Sequence, residues 1–276
     1  MRGRRWPHPP LPSGLTILLT PYTALAPAAA HVVHTVFETL AMMLGARLYL
    51  RLRRAEAADV ALLQGRNYAV LAGCLAGAAL GNKLAFWFDQ PQLWPANGTL
   101  LTFMLGGQSI VGGLLGGLLG VEIAKGFSKD RRSTGDHFVY PILLGIMVGR
   151  IGCFMAGLND DTYGLPTRLW WGMDFGDGVA RHPTQLYEIL FAAGLGLLLW
   201  RAQPALARVP GLRFKLMLAS YLLWRLLVDG IKPVFHPWAL GLSGIQWICV
   251  IGLLAYMPVV VRAALQWQRE EARACL

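Results

Sequence analysis

MVGRIGCFMAGL, residues 147–158, sets a permanent cation, Arg150, between two glycines of an apolar run. No charge falls within six residues before it or nine after it. In a soluble core such an arginine needs a buried partner. In a bilayer it costs roughly 3 kcal/mol or more and by default marks a functional site. Composition chooses the bilayer. Charged residues are 14% of the chain, against about 25% in ordinary soluble domains. Apolar residues are 55%, and 32 of 276 residues are glycine, as expected where helices pack closely in lipid. Cys74, Cys153, Cys249 and Cys275 show no metal-ligand or CxxC spacing, and three of them fall in apolar segments, so a disulfide framework is not expected.

Runs of about 20 apolar residues predict an all-α integral membrane protein, a bundle of seven transmembrane helices at about 31–50, 68–88, 100–124, 137–156, 182–200, 214–231 and 243–262. The basic residues orient it. The 46–67 loop holds Arg47, Arg51, Arg53, Arg54 and Arg66, and the 125–136 loop Lys125, Lys129, Arg131 and Arg132. The 201–215 loop holds Arg201, Arg208, Arg213 and Lys215, and the tail Arg262, Arg269 and Arg273. The alternate loops hold only Arg168, Arg181 and Lys232. By the positive-inside rule the N-terminus is outside and the C-terminus cytoplasmic. The net charge of +10 then belongs to the cytoplasmic rim, beside anionic headgroups, and calls for no nucleic acid. Residues 1–30, with Arg2, Arg4, Arg5, Pro21 and Pro27, read as a signal-like or interfacial segment. Residues 31–262 form the seven-span unit and 263–276 a cytoplasmic tail.

Glu38, Lys83, Arg150, Glu188, Arg225 and Asp229 lie in or beside the spans. Internal pairing that holds helices together is one account of them; their arrangement favours a site. Tyr221, Arg225 and Asp229 recur every four residues and form one helical stripe. His34 and Glu38 form a shorter one. In HPTQLYE, residues 182–188, a proline opens a helix, and Gln185 and Glu188 face one way. A bundle that gathers two arginines, a lysine, tyrosine, glutamine and histidine can hold an anion, and arginine's planar fork matches phosphate. In a membrane that phosphate belongs to a lipid headgroup, so a phospholipid-binding cavity is expected. Lys83 is either a third positive contact or a side chain snorkelling to the interface.

GGQSIVGGLLGGLLG, residues 106–120, is not a phosphate loop, because no Lys-Ser or Lys-Thr follows the last glycine. It reads as close-packing surface, with Gln108 and Ser109 available as donors. The 157–181 segment, with Trp170, Trp171 and four aspartates, reads as a structured interfacial loop or an aromatic belt.

Several motifs together resemble the prolipoprotein diacylglyceryl transferases: GRIGCFMAG at 149–157, Tyr163-Gly164, RHPTQLYE at 181–188, YLLWR at 221–225 with Asp229, GGQSIVGGLLG at 106–116, and Gln246. The resemblance implies a multi-pass enzyme of the bacterial inner membrane with its active site on the extracytoplasmic side. Such an enzyme moves the diacylglyceryl group of phosphatidylglycerol to a lipobox cysteine of a preprolipoprotein, or another thiol acceptor, and releases glycerol 1-phosphate. It implies no metal and no organic cofactor. Arg150, Arg225, His182, Glu188 and Asp229 match catalytic positions, with Asp229 in place of the usual glutamate. Tyr221, Tyr187, Gln185, Gln108, Lys83, Glu38, His34 and Gln246 are the expected substrate-binding set.

The chain also departs from the family pattern. Val111 stands where a histidine is usual, and Cys153 where an asparagine is usual. Asn-Gly-Glu is replaced by AGLNDD at 156–161, and Trp-Tyr-Gly near the first span is absent, with His34 and Glu38 in that region. The arginines that serve a leaving phosphate remain, whereas removal of the thiol proton falls to His34, to His182, or to the field of the arginines. The other readings are a non-catalytic phospholipid-binding relative, a paralogue with a different acceptor, and a transporter.

Overall fold

The computed structural model describes residues 24–55, 65–93, 104, 106–130 and 132–274. Most of the N-terminal segment, with Arg2, Arg4 and Arg5, lies outside the described residues, as do 100–103 and 105 of the third expected span. Seven long helices occur among the described residues: α1 (Pro27–Ala55), α2 (Gly65–Asp89), α3 (Ile110–Ser128), α4 (Val139–Ala156), α5 (Thr184–Arg201), α6 (Leu212–Val228) and α7 (Gly244–Ala274). Five of them, α1 to α4 and α7, are long and apolar enough to cross a membrane. The other two, of 18 and 17 residues, carry Thr184, Gln185, Glu188, Tyr221 and Arg225. Polar groups at those positions lower the mean hydropathy of helices that are otherwise core: Met217, Leu218, Tyr221 and Leu222 of α6 are fully buried.

Helix boundaries follow local chemistry. α1 begins at Pro27, four residues before the expected start, because proline suits the first helical position. After Met104, itself helical, the long third helix begins at Ile110. Gly107 has φ +58, and Ser109 is an extended N-cap whose hydroxyl accepts from Gly112 N. Asn82 Oδ1 accepts from Ser109 N at 2.6 Å, and Lys83 Nζ donates to the carbonyls of Gly106 and Gly107 at 3.1 and 2.9 Å. The 106–109 segment is therefore a pinned loop leading into α3.

The closest helix pair is α2 with α3. Gly73, Gly77 and Gly81 face Gly120, Gly116 and Gly112, and a Cβ on any of them would run into the opposing backbone. Small residues spaced by four are what such an approach requires. The other extensive pairs are α1 with α4, α4 with α5 and α6 with α7. Gly152 permits the first of these, since a Cβ there would fall 2.5 Å from Phe37 Cβ.

Between α4 and α5 the chain folds into an ordered cap. Gly157 has φ +60 and Asp161 φ +52, so the turn Gly157–Asp160 doubles back over the end of α4. Strands β1 (Met173–Asp174) and β2 (Ala180–Arg181) pair antiparallel, Met173 opposite Arg181. Leu165 N donates to Ile231 O at 2.8 Å and Gly164 N to His182 O at 3.0 Å, which ties the cap to the ends of α5 and α6.

Candidate active site

A cavity of about 1710 Å³ opens between the helices, larger than the roughly 300–1,000 Å³ of ordinary small-molecule sites. Its wall includes Phe86, Ile110, Leu114, Ile142 and Ile146, and it reaches Lys125, Arg132 and Lys215 at the end opposite the cap. Gly113 and Gly117 of α3 line it, while their neighbours Gly112 and Gly116 form the seam with α2. The glycine-rich run thus serves two faces of one helix.

At the cap end the buried charges meet. Glu188, 1% exposed, is shared: its Oε2 lies 2.8 Å from Arg150 Nε and 3.4 Å from Arg225 Nη1. Its Oε1 accepts from Tyr221 OH at 2.6 Å. Arg225 Nη2 lies 2.9 Å from Asp229 Oδ1, and Lys232 Nζ 3.4 Å from the same oxygen. Arg225 Nε is buried with no hydrogen-bond partner among the described residues. Arg150, Arg225, Asp229 and Lys232 line the cavity, whereas Glu188 and Tyr221 stand behind them. Among the ion-paired groups three cations face two carboxylates; Asp89, also on the cavity wall, interacts with Arg225 and Asp229 without an ion pair. A phosphodiester carries one negative charge, and guanidinium nitrogens are suited to bind it.

A second group adjoins the first through Cys153. Arg150 Nη1 donates to Cys153 Sγ at 3.5 Å, and His34 Nε2 lies 3.7 Å from the same sulfur. His34 Nδ1 is 3.3 Å from Asp160 Oδ1, and its Nε2 is 3.7 Å from Glu38 Oε1. Thr162 donates its hydroxyl to Asp160 and receives a bond from Gln185 Nε2 at 3.3 Å. His34, Glu38, Cys153, Asp160 and Asp161 all line the cavity. Burial, with Asp160 alongside, raises the Asp161 carboxyl above its usual range.

The expected site residues separate into three settings. Arg150, Arg225, Asp229, His34, Glu38 and Gln108 are on the cavity wall. Glu188, Tyr221 and Gln185 are buried just behind it, and Gln185 reaches the His34 group through Thr162 rather than facing a headgroup. The rest lie elsewhere. His182 Nδ1 is 3.2 Å from Tyr187 OH, which also accepts from Trp171 Nε1 at 2.6 Å; this trio braces the cap, and burial holds the His182 ring below its usual pKa. Gln246 accepts from Ser243 N and donates to Leu226 O, joining the start of α7 to α6. Lys83 holds the 106–107 loop, neither on the cavity wall nor reaching outward. Val111 is buried in the core and does not line the cavity.

Sequence reading missed Lys232, Cys153 and Asp160 as wall residues. Lys232 was one loop cation among three, and only the 3₁₀ turn Asp229–Ile231 folds it back onto Asp229. The doubled acid at 160–161 was visible as a departure from the family pattern, but its partner His34 is more than a hundred residues away in the chain.

The family model described as prolipoprotein diacylglyceryl transferase matches residues 29–262. The chain is 33% identical over 194 residues to the phosphatidylglycerol--prolipoprotein diacylglyceryl transferase of Bordetella parapertussis, covering 65% of this chain and 71% of that protein. The protein of the same description from Polynucleobacter asymbioticus is 34% identical over 197 residues, 66% of this chain and 71% of that one. The one from Aromatoleum aromaticum is 32% identical over 227 residues, 73% and 78%.

Proposed function

The chain belongs to the prolipoprotein diacylglyceryl transferase family, and on that premise we propose that it transfers the diacylglyceryl group of phosphatidylglycerol to a cysteine thiol of a preprolipoprotein, releasing glycerol 1-phosphate. All seven long helices cross the bacterial inner membrane, with the N-terminus and the capped end of the cavity on the extracytoplasmic side. The observation that carries this reading is the positive pole: Arg150, Arg225 and Lys232 on the cavity wall, organised by Glu188 and Asp229.

The lipid phosphate binds that pole, and its acyl chains extend along the apolar wall of α3 and α4. The incoming thiol occupies the adjoining space beside His34 on the cavity wall and passes its proton to the His34–Glu38 pair. The thiolate attacks the glyceryl carbon; a sulfur–carbon bond forms as the carbon–oxygen bond to phosphate breaks. The electron pair leaves on the phosphate oxygen, where preorganised guanidiniums stabilise the charge more in the transition state than in the bound lipid. His182 keeps the cap in place and does not touch the reacting atoms.

Purified full-length protein in vesicles of phosphatidylglycerol with a lipobox peptide tests this. Glycerol phosphate release and peptide mass gain are followed together, with Arg150→Ala as control. Release with a matching mass gain, both lost in the control, is the expected result. Release without an adduct points to another acceptor. Lipid retained without release in the wild type is the outcome for a phospholipid-binding relative, the second reading, which Cys153 and Val111 at two family positions favour. Solute movement across sealed vesicles would instead mark a transporter.

A further inference from the structure

We propose that His34, Cys153 and Asp160 form a site for a divalent transition-metal ion of the zinc class at the thiol end of the cavity. They come from three separate elements, α1, α4 and the turn Gly157–Asp160. One ring nitrogen, the sulfur and one carboxylate oxygen lie within 4.8 Å of one another. Ligands at about 2.0–2.3 Å from a tetrahedral ion stand roughly 3.3–3.8 Å apart. The donor atoms, within 4.8 Å of one another, stand up to about 1 Å wider than that; His34 Nδ1 is 3.3 Å from Asp160 and its Nε2 3.7 Å from Cys153 Sγ. The two contacts use different ring nitrogens, so a modest turn of the imidazole brings one nitrogen to the ion.

The donor chemistry selects the metal. Imidazole, thiolate and carboxylate together are a zinc set, and three protein ligands with a fourth position open is the catalytic form of such a site. All three residues line the cavity, so the open position faces it. Electrostatics agree: with a neutral imidazole, Asp160 and a Cys153 thiolate bring two negative charges to the ligand set, which a divalent ion balances, and Glu38 adds a third beside it. The outer partners are also in place. Thr162 and, through it, Gln185 hold Asp160, and Arg150 donates to Cys153 Sγ, the kind of support that orients ligands. The residues involved are the chain's departures from the family pattern. Cys153, the displaced acid Asp160, and His34 with Glu38 are scattered in the sequence and converge here, while Val111, at the family's histidine position, is buried elsewhere.

The role of the site rests on the transferase reading. An ion held there would favour the thiolate form of a thiol at the open position, and Glu38, 3.7 Å from His34, is placed to take the proton before the attack on the glyceryl carbon described above.

Elemental analysis of the purified full chain, without a histidine tag and after dialysis, reads the site directly. About one zinc per chain is expected in the wild type, falling at least tenfold in Cys153→Asn and Asp160→Asn. Cys153→Asn installs the family's own residue, so the bundle should remain folded, which circular dichroism checks. Cobalt(II) loading should give a near-ultraviolet thiolate-to-metal band that Cys153→Asn abolishes. Wild-type protein without stoichiometric zinc and without that band would overturn the proposal. Metal bound without peptide modification would sink the transferase reading and leave the site standing. Peptide modification at full rate by protein that binds neither metal would sink the site and leave the transferase reading intact.

Discussion

The two ends of the site solve the problem of charge in a membrane differently. At the Arg150 end each cation has a carboxylate within 4 Å: Arg150 and Arg225 share Glu188, and Arg225 and Lys232 share Asp229. At the His34 end the balance is reversed, with Glu38 and Asp160 around a single imidazole and a thiol. The first is poised for an anion, the second for a cation, and Arg150 touches both through Cys153. Burial makes the difference consequential, because an uncompensated charge of either sign is expensive away from water.

The largest effect should come from removing the carboxylate that two arginines share. Glu188→Ala leaves both guanidiniums without it and is expected to destabilise the fold by about 3–5 kcal/mol, read as a lowered unfolding temperature in detergent. An unchanged midpoint would mean that the positive pole is not held by this carboxylate. Arg150→Ala should reduce glycerol phosphate release by about 10²–10³-fold. Arg150→Lys should rescue little of it, since a lysine cannot meet Glu188 and Cys153 from one planar fork.

Lys232 sharpens the comparison through pH. Burial, with Arg225 nearby, pushes its ammonium down to about 8. It is charged below that value and neutral above it, so binding of phosphatidylglycerol should weaken as pH rises through about 8. Lys232→Gln should weaken binding about tenfold at neutral pH, roughly 1.4 kcal/mol, and Lys232→Arg should flatten the pH profile. A pH-independent wild type would remove Lys232 from the headgroup site. The smallest effect is expected for His182→Ala, which loses its contact with Tyr187. That is worth about 1 kcal/mol of stability, with turnover within roughly fivefold of wild type. A hundredfold loss of turnover would place His182 in the chemistry after all.

The helices and the charged stripe were legible in the sequence because each is local. Apolar run length marked the long helices, and the period of the helix put Tyr221, Arg225 and Asp229 on one face. The start of the third helix was not legible. An apolar stretch does not reveal that Gly107 turns with positive φ or that Ser109 caps. Nor was the fate of Gln185, Gln246, His182 and Lys83, polar residues that serve loops and helix ends rather than the cavity wall.

By itself the sequence determined that this is an α-helical membrane protein with buried arginines, because composition and spacing register the cost of charge in lipid directly. It also carried the family, through motifs short enough to be read along the chain. Only the tertiary structure decided which charges meet. Lys232 joins Asp229 through a turn, and Asp160 meets His34 because Gly152 lets α1 approach α4 and Gly157 folds the cap back over the end of α4. Such pairings join residues up to 126 positions apart. They depend on backbone approach and turn geometry, which no local pattern of residues records.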